Sequence, residues 1–193
     1  MRHVRLAAAM LTAVLGSGLV QPVGAQPVGC GVERWPVKML ADRDSAAVDR
    51  TPQEATVTSL GAIPIPEIPY PNDRRIAPHE LRVYRVRGTL GYISTQDDQD
   101  WHIVLHDLER PRATIIVEIP APECAATPTH AALYAAARDS LRRVPRGERV
   151  VVEGVGFFDF IHNQRGRARN GFELHPLLFL ARDTTGPALG WRR

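Results

Sequence analysis

The sequence has few of the residues from which common catalytic and metal centres are built. Only two of its 193 residues are cysteine, and neither lies in a Cys-x-x-Cys or similar cluster, which disfavours a thiolate zinc site. There is no Gly-x-Ser-x-Gly motif, and Ser94 and Ser140 lack the sequence context of a nucleophile. The Gly-x-Gly of "GVGFFDF" lacks the third glycine and the following helix of a phosphate-binding loop. The common hydrolase and nucleotide-binding signatures are therefore excluded.

An excess of positive charge is also missing once the N-terminus is set aside. The whole chain has 24 basic and 21 acidic residues. Arg2 and Arg5 lie in a segment that we expect to be removed, which leaves 22 basic residues against 21 acidic ones, a charge near +1. A mature chain with so little net charge does not have the composition of a general polyanion-binding protein.

Long apolar runs are confined to the N-terminus. Residues 1–25 combine a basic start, an apolar run of about fifteen residues and a Val-x-Ala sequence that ends at Ala25, which is typical of a signal peptide. That run is shorter than the roughly 20 residues that span a bilayer, and no later stretch approaches that length. The sequence thus predicts an exported protein without a transmembrane segment, secreted or periplasmic, whose mature chain begins near Gln26.

The two cysteines, Cys30 and Cys124, are expected to form one disulfide. An exported chain folds in an oxidising compartment, and an even number of thiols leaves none unpaired. Cys30 lies in a proline-rich N-terminal extension, residues 26–80, in which Pro64, Pro66, Pro69 and Pro71 favour an extended path over a helix. We expect this extension to lie across the surface of one domain, with the disulfide holding its far end.

Regular patterns begin at residue 81. Alternation of apolar residues predicts a β-hairpin over 81–94 and 101–108 and a third strand over 112–119. Helical spacing over 128–144, with Thr129 as N-cap, predicts one helix, and strands follow at 148–160 and 172–182. The order β-β-β-α-β-β is that of the OB-fold, a mainly β, five-stranded Greek-key barrel, here assigned to residues 81–182. Residues 183–193 are predicted to be a flexible tail.

The segment "HNQRGRARNGFELHP", residues 162–176, forms the loop between the last two predicted strands. Such loops commonly contact oligonucleotides or oligosaccharides in OB-folds. Arg165, Arg167 and Arg169 are suited to phosphates, and Asn163 and Gln164 to polar edges. The hairpin loop at 96–100 contains three aspartates instead of cations, so nucleic acid is not the favoured partner.

Two further groups offer metal-ligand chemistry. Asp97, Asp98 and Asp100 would suit a hard cation, but they lack the glycine and glutamate of an EF-hand, so a solvated hairpin tip is preferred. His102 and His106 have an i, i+4 spacing that pairs ligands on a helix. On a strand they lie about 13 Å apart and do not share an ion.

The pair Glu173 and His175 is more suggestive, because residues i and i+2 share one face of a strand about 6 to 7 Å apart. With His162 from the other end of the loop, they would form a zinc site or an acid–base pair. The alternative is structural: the two side chains hold the loop by hydrogen bonds, with Asn170-Gly171 forming a tight turn and Pro176 interrupting the strand.

Four segments together resemble a group of exported bacterial proteins with an OB-like domain: "ERWPVK", "DWHIVLHD", "EIPAPEC" and "GFFDFIHNQRGRARNGFELHP". The last resembles the signature GFFDxxHxQxGxAxNGxELHP of that group. Its positions are Gly156, Phe157, Phe158, Asp159, His162, Gln164, Gly166, Ala168, Asn170, Gly171, Glu173, Leu174, His175 and Pro176. The resemblance implies an exported OB-like domain but no activity. The three loop arginines fall at positions where the signature specifies no residue.

The candidate binding set that follows is Asp159, His162, Asn170, Glu173 and His175. We expect a non-catalytic binding or accessory module for a small ligand or saccharide, without a cofactor. The alternative is a metal-dependent hydrolase, acting on phosphodiesters, in which His162, Glu173 and His175 hold zinc. A third hypothesis, a purely structural envelope protein, predicts no pocket.

Overall fold

A computed structural model describes residues 29–31, 33–161 and 163–185 of the chain. The predicted signal peptide, His162 and most of the predicted tail lie outside the described residues. The strands are β1 (Asp49–Ala55), β2 (Arg82–Thr95), β3 (Trp101–Asp107), β4 (Thr114–Ile119), β5 (Arg149–Phe158) and β6 (Phe172–Arg182). The α-helices are α1 (Trp35–Lys38), α2 (Val57–Leu60) and α3 (Pro128–Arg142). In the described part of the chain, no helix has the length and apolar character needed to cross a membrane.

Strands β2 to β6 close into a five-stranded barrel. The hydrogen-bonded order is β2-β3-β4-β6-β5, and β5 pairs back with β2. All neighbours are antiparallel except β4 and β6, and α3 lies between β4 and β5 in the chain. This connectivity is that of an OB-fold, so the predicted fold class is confirmed.

The barrel interior is filled by alternate residues of each strand. Ile103 and Leu105 of β3 and Ile115, Val117 and Ile119 of β4 belong to the main core cluster. The residues between them therefore point to the outer face of the barrel. Gly156 of β5 admits no side chain, because a Cβ there would clash with the His79 carbonyl oxygen.

Helix α3 starts two residues earlier than its predicted cap implies. The hydroxyl of Thr127, not Thr129, accepts a hydrogen bond from the His130 amide, and Pro128 occupies the first helical position. Proline suits that position because its fixed φ is helical and it has no amide hydrogen to leave unpaired. The buried face comprises Tyr134, Ala137 and Leu141.

The N-terminal extension is more regular than predicted. Its strand β1 pairs in parallel with β2 and adds a sixth strand to the sheet, and α2 follows directly. The sequence of β1, "DRTPQEA", is polar and contains Pro52, which explains why no strand was predicted there. An edge strand tolerates both features, because one side of it needs no ladder hydrogen bonds.

Buried ion pairs join separate parts of the extension, and one pair also binds strand β5 of the barrel: Arg34 donates to the Phe158 carbonyl oxygen, and Glu80 accepts from the Phe158 amide. Arg34 pairs with Glu80 and Arg75 pairs with Asp42, and all four side chains are fully buried. The predicted disulfide is confirmed: Cys30 and Cys124 are bonded, with their Cα atoms 5.8 Å apart. Residues 29–31 and 33–38 therefore cover part of the outer face of the barrel, where Arg34 and Lys38 lie over the Phe157 ring. The extension also contributes to the core instead of only lying on the surface.

Candidate functional site

A row of ionisable side chains lies on the covered outer face of the barrel. His102 of β3 is opposite Glu118 of β4 in the sheet. Val117 of β4 is paired with Leu174 of β6, which places Glu118 beside His175. We call His102, Glu118, His175 and Asp100, which precedes β3, the buried polar row; each has no more than 5% of its surface exposed.

A bulge in β6 sets the direction of His175. Gly156 pairs with Leu174 and Gly154 with Leu177, so β6 has one residue more than β5 over this interval. The extra residue lies at His175–Pro176, where the peptide bond is cis. Leu174 and Leu177 both point into the core, and His175 is left on the outer face. Bulges commonly redirect side chains in this way, and the predicted irregularity at Pro176 is this bulge.

Glu118 is the centre of the buried polar row. Its Oε1 atom is 3.0 Å from Nδ1 of His102, and its Oε2 atom is 3.2 Å from Nδ1 of His175. Burial opposes ionisation of this carboxyl group, but the two imidazoles outweigh it and hold the Glu118 pKa below its usual range. Glu118 is therefore a buried carboxylate.

His102 contacts an oxygen acceptor at each ring nitrogen. Besides Glu118, its Nε2 atom lies 2.9 Å from the carbonyl oxygen of Arg165 in the β5–β6 loop. A carbonyl and a carboxylate only accept hydrogen bonds, so both nitrogens donate and the ring is cationic. Burial lowers the His102 pKa, but these two acceptors raise it by more. His102 thus joins the sheet to the loop.

His175 has no exposed surface and lies between two carboxylates. Its Nε2 atom is 3.3 Å from Oδ2 of Asp100, opposite the contact with Glu118. Both distances are within ion-pair range, yet neither ring nitrogen forms a hydrogen bond of acceptable geometry in the described structure. Burial works against a charged ring, but Asp100 and Glu118 raise the His175 pKa to about 9.

Glu173 is buried next to this row. Its Oε1 atom has no hydrogen-bond partner among the described residues. Burial, together with the charges of Glu118 and Asp159, raises the Glu173 pKa well above its usual value, although Lys38 and Arg167 act in the opposite direction. One Asp159 oxygen, Oδ1, is likewise buried without a partner in this part of the structure. The neighbouring carboxyl groups therefore disfavour a charged Glu173.

A pocket of about 390 Å³ opens directly beside the row. We call it the loop pocket. One wall is the N-terminal segment, residues 29–31 and 33–38, with Lys38 on it, and a second is the β2–β3 loop, with Asp97 and Asp98. Gln164 of the β5–β6 loop and the buried Glu118 complete the lining. Burial and the neighbouring Asp100 raise the Asp98 pKa, which again reflects an excess of negative charge.

The predicted binding residues have different positions in this arrangement. His175 and Glu173 belong to the buried region, and Asp159 is near them. Asn170 donates to the carbonyl oxygens of Leu60 and Ile63 and accepts from the Phe172 amide. The Asn170 side chain therefore has a structural role, because it holds the loop to α2 and the residues that follow it. The Gly171 φ of 68° fits the predicted tight turn.

Of the predicted zinc set of His162, Glu173 and His175, the structure describes Glu173 and His175, and His162 lies outside the described residues. Within the described chain, the only group whose ligand atoms all lie within 4.8 Å of one another is Asp100, Glu118 and His175. This group shares His175 with the predicted set, and its other two members are carboxylates from the β2–β3 loop and β4.

The three aspartates of the β2–β3 hairpin loop differ in their exposure to solvent. Asp97 is exposed, Asp98 is half-buried, and Asp100 is buried and accepts a hydrogen bond from the Ala121 amide. A solvated tip is thus the wrong description of Asp100. His102 and His106 have separate partners, as predicted, since the contact of His106 is the Pro111 carbonyl oxygen.

Two of the three loop arginines contact groups of the protein itself. Arg165 stacks over the Tyr92 ring at 4.4 Å, and Arg167 donates to the carbonyl oxygen of Ala168, whereas Arg169 is exposed. Arg138 and Arg142 cover the ring of Trp101 at 4.9 and 5.0 Å. The aromatic rings of Tyr92 and Trp101 are therefore both in contact with guanidinium groups.

Three features of the site were not predicted from the sequence: Glu118, Lys38 and the burial of Asp100. Glu118 appears in "RATIIVEI" as an ordinary outer-face residue of a strand, which in most barrels contacts solvent. The available signal was that His102, Glu118 and Glu173 each fall at an outer position of neighbouring strands. Their burial depends on the N-terminal segment, which alternation within strands does not reveal.

No protein-family model matches this sequence, and no curated protein is significantly similar to it. Among solved structures, a chain assigned as an aspartyl-tRNA synthetase from Leishmania major Friedlin aligns with a TM-score of 0.41 and 9% identity. The alignment covers 71% of this chain but only 22% of the synthetase chain.

Two OBodies bound to hen egg-white lysozyme, AM2EP06 and AM3L09, each align with a TM-score of 0.35 and 16% identity. They cover 52% of this chain and 78% and 80% of their own. These values establish neither a family nor an activity; the OB-fold follows from the strand order.

Proposed function

We propose that this protein is an exported, non-catalytic binding module that takes a small, positively charged ligand in the loop pocket. The observation that carries the proposal is the position of Glu118, a buried carboxylate at the boundary of a pocket between the β2–β3 and β5–β6 loops. OB-folds commonly bind ligands with these two loops and the adjacent strand face. The signal-peptide pattern and the disulfide support export.

The charge of the pocket favours a cation over a saccharide or nucleic acid. Four acidic residues line it, Glu33, Asp97, Asp98 and Glu118, and Lys38 is the one basic residue among its lining residues. Two of the three loop arginines, Arg165 and Arg167, contact the Tyr92 ring and the Ala168 carbonyl oxygen. A ligand with a positive group relieves repulsion among the carboxylates, whereas a polyanion would increase it.

Chemical-shift mapping by NMR tests the proposal with three probes on the purified protein: spermidine, maltotriose and a dT6 oligonucleotide. Spermidine should shift the amide signals of Lys38, Asp98 and Glu118, and the two other probes should leave them unchanged. Glu118→Gln should abolish the spermidine shifts. The matched control is Glu54→Gln, since Glu54 is exposed and lines a different pocket.

Two results would contradict the proposal. If maltotriose or dT6 shifts the pocket amides and spermidine does not, the ligand class is wrong. If Glu118→Gln and Glu54→Gln bind spermidine equally, the ligand is not held by the buried carboxylate.

A further inference from the structure

We infer that the loop pocket leads to a divalent transition-metal site, of the kind that binds zinc, formed by Asp100, Glu118 and His175. This inference rests on the proposed function and deepens it, because it names the positively charged ligand. One ligand atom from each residue lies within 4.8 Å of the other two. The three residues come from the β2–β3 loop, β4 and β6, so the closed barrel brings together residues that are distant in sequence.

The state of His175 is a second, independent sign of a ligand. The side chain is fully buried, and neither ring nitrogen has a hydrogen bond of acceptable geometry, although carboxylate oxygens lie 3.2 and 3.3 Å away. A buried imidazole normally satisfies both nitrogens. Here each nitrogen faces one carboxylate oxygen, Nδ1 that of Glu118 and Nε2 that of Asp100, so an ion bound at either nitrogen would lie beside a carboxylate ligand.

The ligand chemistry selects the class of metal. Two carboxylates and one imidazole suit zinc and its neighbours, whereas calcium and magnesium prefer oxygen ligands alone. Adjacent ligand atoms around a tetrahedral zinc ion are separated by about 3.3 Å, given metal–ligand bonds of about 2.0 Å. Whichever ring nitrogen of His175 binds the ion, its contact with one carboxylate oxygen already has this length, and the complete group needs to contract by on the order of 1 Å.

The surroundings supply the remaining parts of such a site. The other oxygen of Glu118 is 3.0 Å from His102, whose second nitrogen contacts the Arg165 carbonyl oxygen. Hydrogen bonds of this type orient the carboxylate ligands of metal centres. Glu118 also borders the loop pocket, which provides an entry path and room for a fourth ligand.

Zinc titration of the chelator-treated protein, followed by a competing chromophoric indicator, tests the inference. We expect one zinc ion per chain, and at least about 100-fold weaker binding in Glu118→Gln and Asp100→Asn. His106→Gln is the matched control, because His106 is on β3 outside the group and should bind zinc as the wild type does. Wild-type affinity in both carboxylate variants would overturn the inference.

Zinc K-edge absorption of the loaded wild-type protein gives a readout that does not depend on folded variants. The expected first shell contains only nitrogen and oxygen atoms, with the scattering of one imidazole. Two or more imidazoles, or no stoichiometric binding at all, would overturn the assignment.

Competition with spermidine separates this inference from the proposed function. Zinc should displace spermidine, because both use Glu118. If spermidine binds and zinc does not, the metal site is wrong and the cation-binding pocket remains. If neither binds, both proposals fail.

Discussion

The guanidinium of Arg34 and the carboxylate of Glu80 form a fully buried, two-pronged ion pair, with nitrogen–oxygen distances of 2.6 and 2.7 Å. The other three donor positions of Arg34 contact the carbonyl oxygens of Pro71, Arg74 and Phe158. All five N–H groups of the guanidinium are therefore paired. The hydrogen bond to Phe158 holds Arg34, and with it the N-terminal segment, against β5 of the barrel.

Glu80→Gln should lower the free energy of unfolding by about 3–5 kcal/mol, because it leaves a buried guanidinium without its counter-charge. Chemical denaturation measures the change. Glu54→Gln is the control, since the ion pairs of Glu54 are exposed and should contribute less than about 1 kcal/mol. Equal effects of the two substitutions would show that the buried pair does not hold the segment.

Asp107 should contribute pH-dependent stability. Burial opposes its ionisation, but hydrogen bonds from Thr58, Glu109 and Arg110 outweigh burial and lower the Asp107 pKa. A lowered pKa in the folded state stabilises the protein fully above the ordinary carboxyl pKa of about 3.9. The stabilisation is lost as the pH falls through the lowered value.

Asp107→Asn should therefore cost about 1–3 kcal/mol of unfolding free energy near pH 7, with a smaller difference from the wild type below about pH 4. Denaturation series between pH 3 and 8 measure this. Asp139→Asn, at an exposed position of α3, is the control. A difference that stays constant down to pH 3 would contradict the role of the Asp107 charge.

Loss of the disulfide should destabilise both the fold and the loop pocket. Cys30 and Cys124 are separated by 94 residues, and closing a loop of that length is worth about 4–5 kcal/mol on the chain-entropy model. The Cys30→Ala/Cys124→Ala variant should melt at a lower temperature and bind spermidine more weakly, because residues 29–31 line the pocket. Reducing agent should lower the melting temperature of the wild type and leave that of the variant unchanged. If reducing agent changes neither melting temperature, the disulfide does not stabilise the fold.

Asn170 should act on stability and not on binding. Asn170→Asp replaces two donated hydrogen bonds by repulsion between a carboxylate and the carbonyl oxygens of Leu60 and Ile63. We expect a loss of at least about 2 kcal/mol, measured by thermal denaturation. Asn163→Asp, an exposed position in the same loop, should have little effect. A stable Asn170→Asp variant that fails to bind spermidine would instead assign Asn170 to the site.

The barrel could be predicted because its strands carry local information. Alternation of apolar residues along β2 to β6 and the single helical pattern of α3 each require only neighbouring positions in the chain. The disulfide followed from the residue count and the predicted compartment. Strand β1 could not be predicted, since its pairing is with β2 and its own residues are polar and include Pro52.

The site could be predicted only in part. Strand periodicity was enough to predict that His175 and Glu173 share a strand face and that His102 and His106 act separately. Their partners could not be predicted, because Asp100, Glu118 and His175 are brought together by barrel closure. The cover over the outer face depends on tertiary contacts: Arg34, Glu80 and the disulfide place residues 29–31 and 33–38 over it. The covering segment excludes water from carboxylates and imidazoles that would otherwise be exposed on the outer face of the barrel. A buried charge needs a nearby counter-charge or a bound ion of opposite charge.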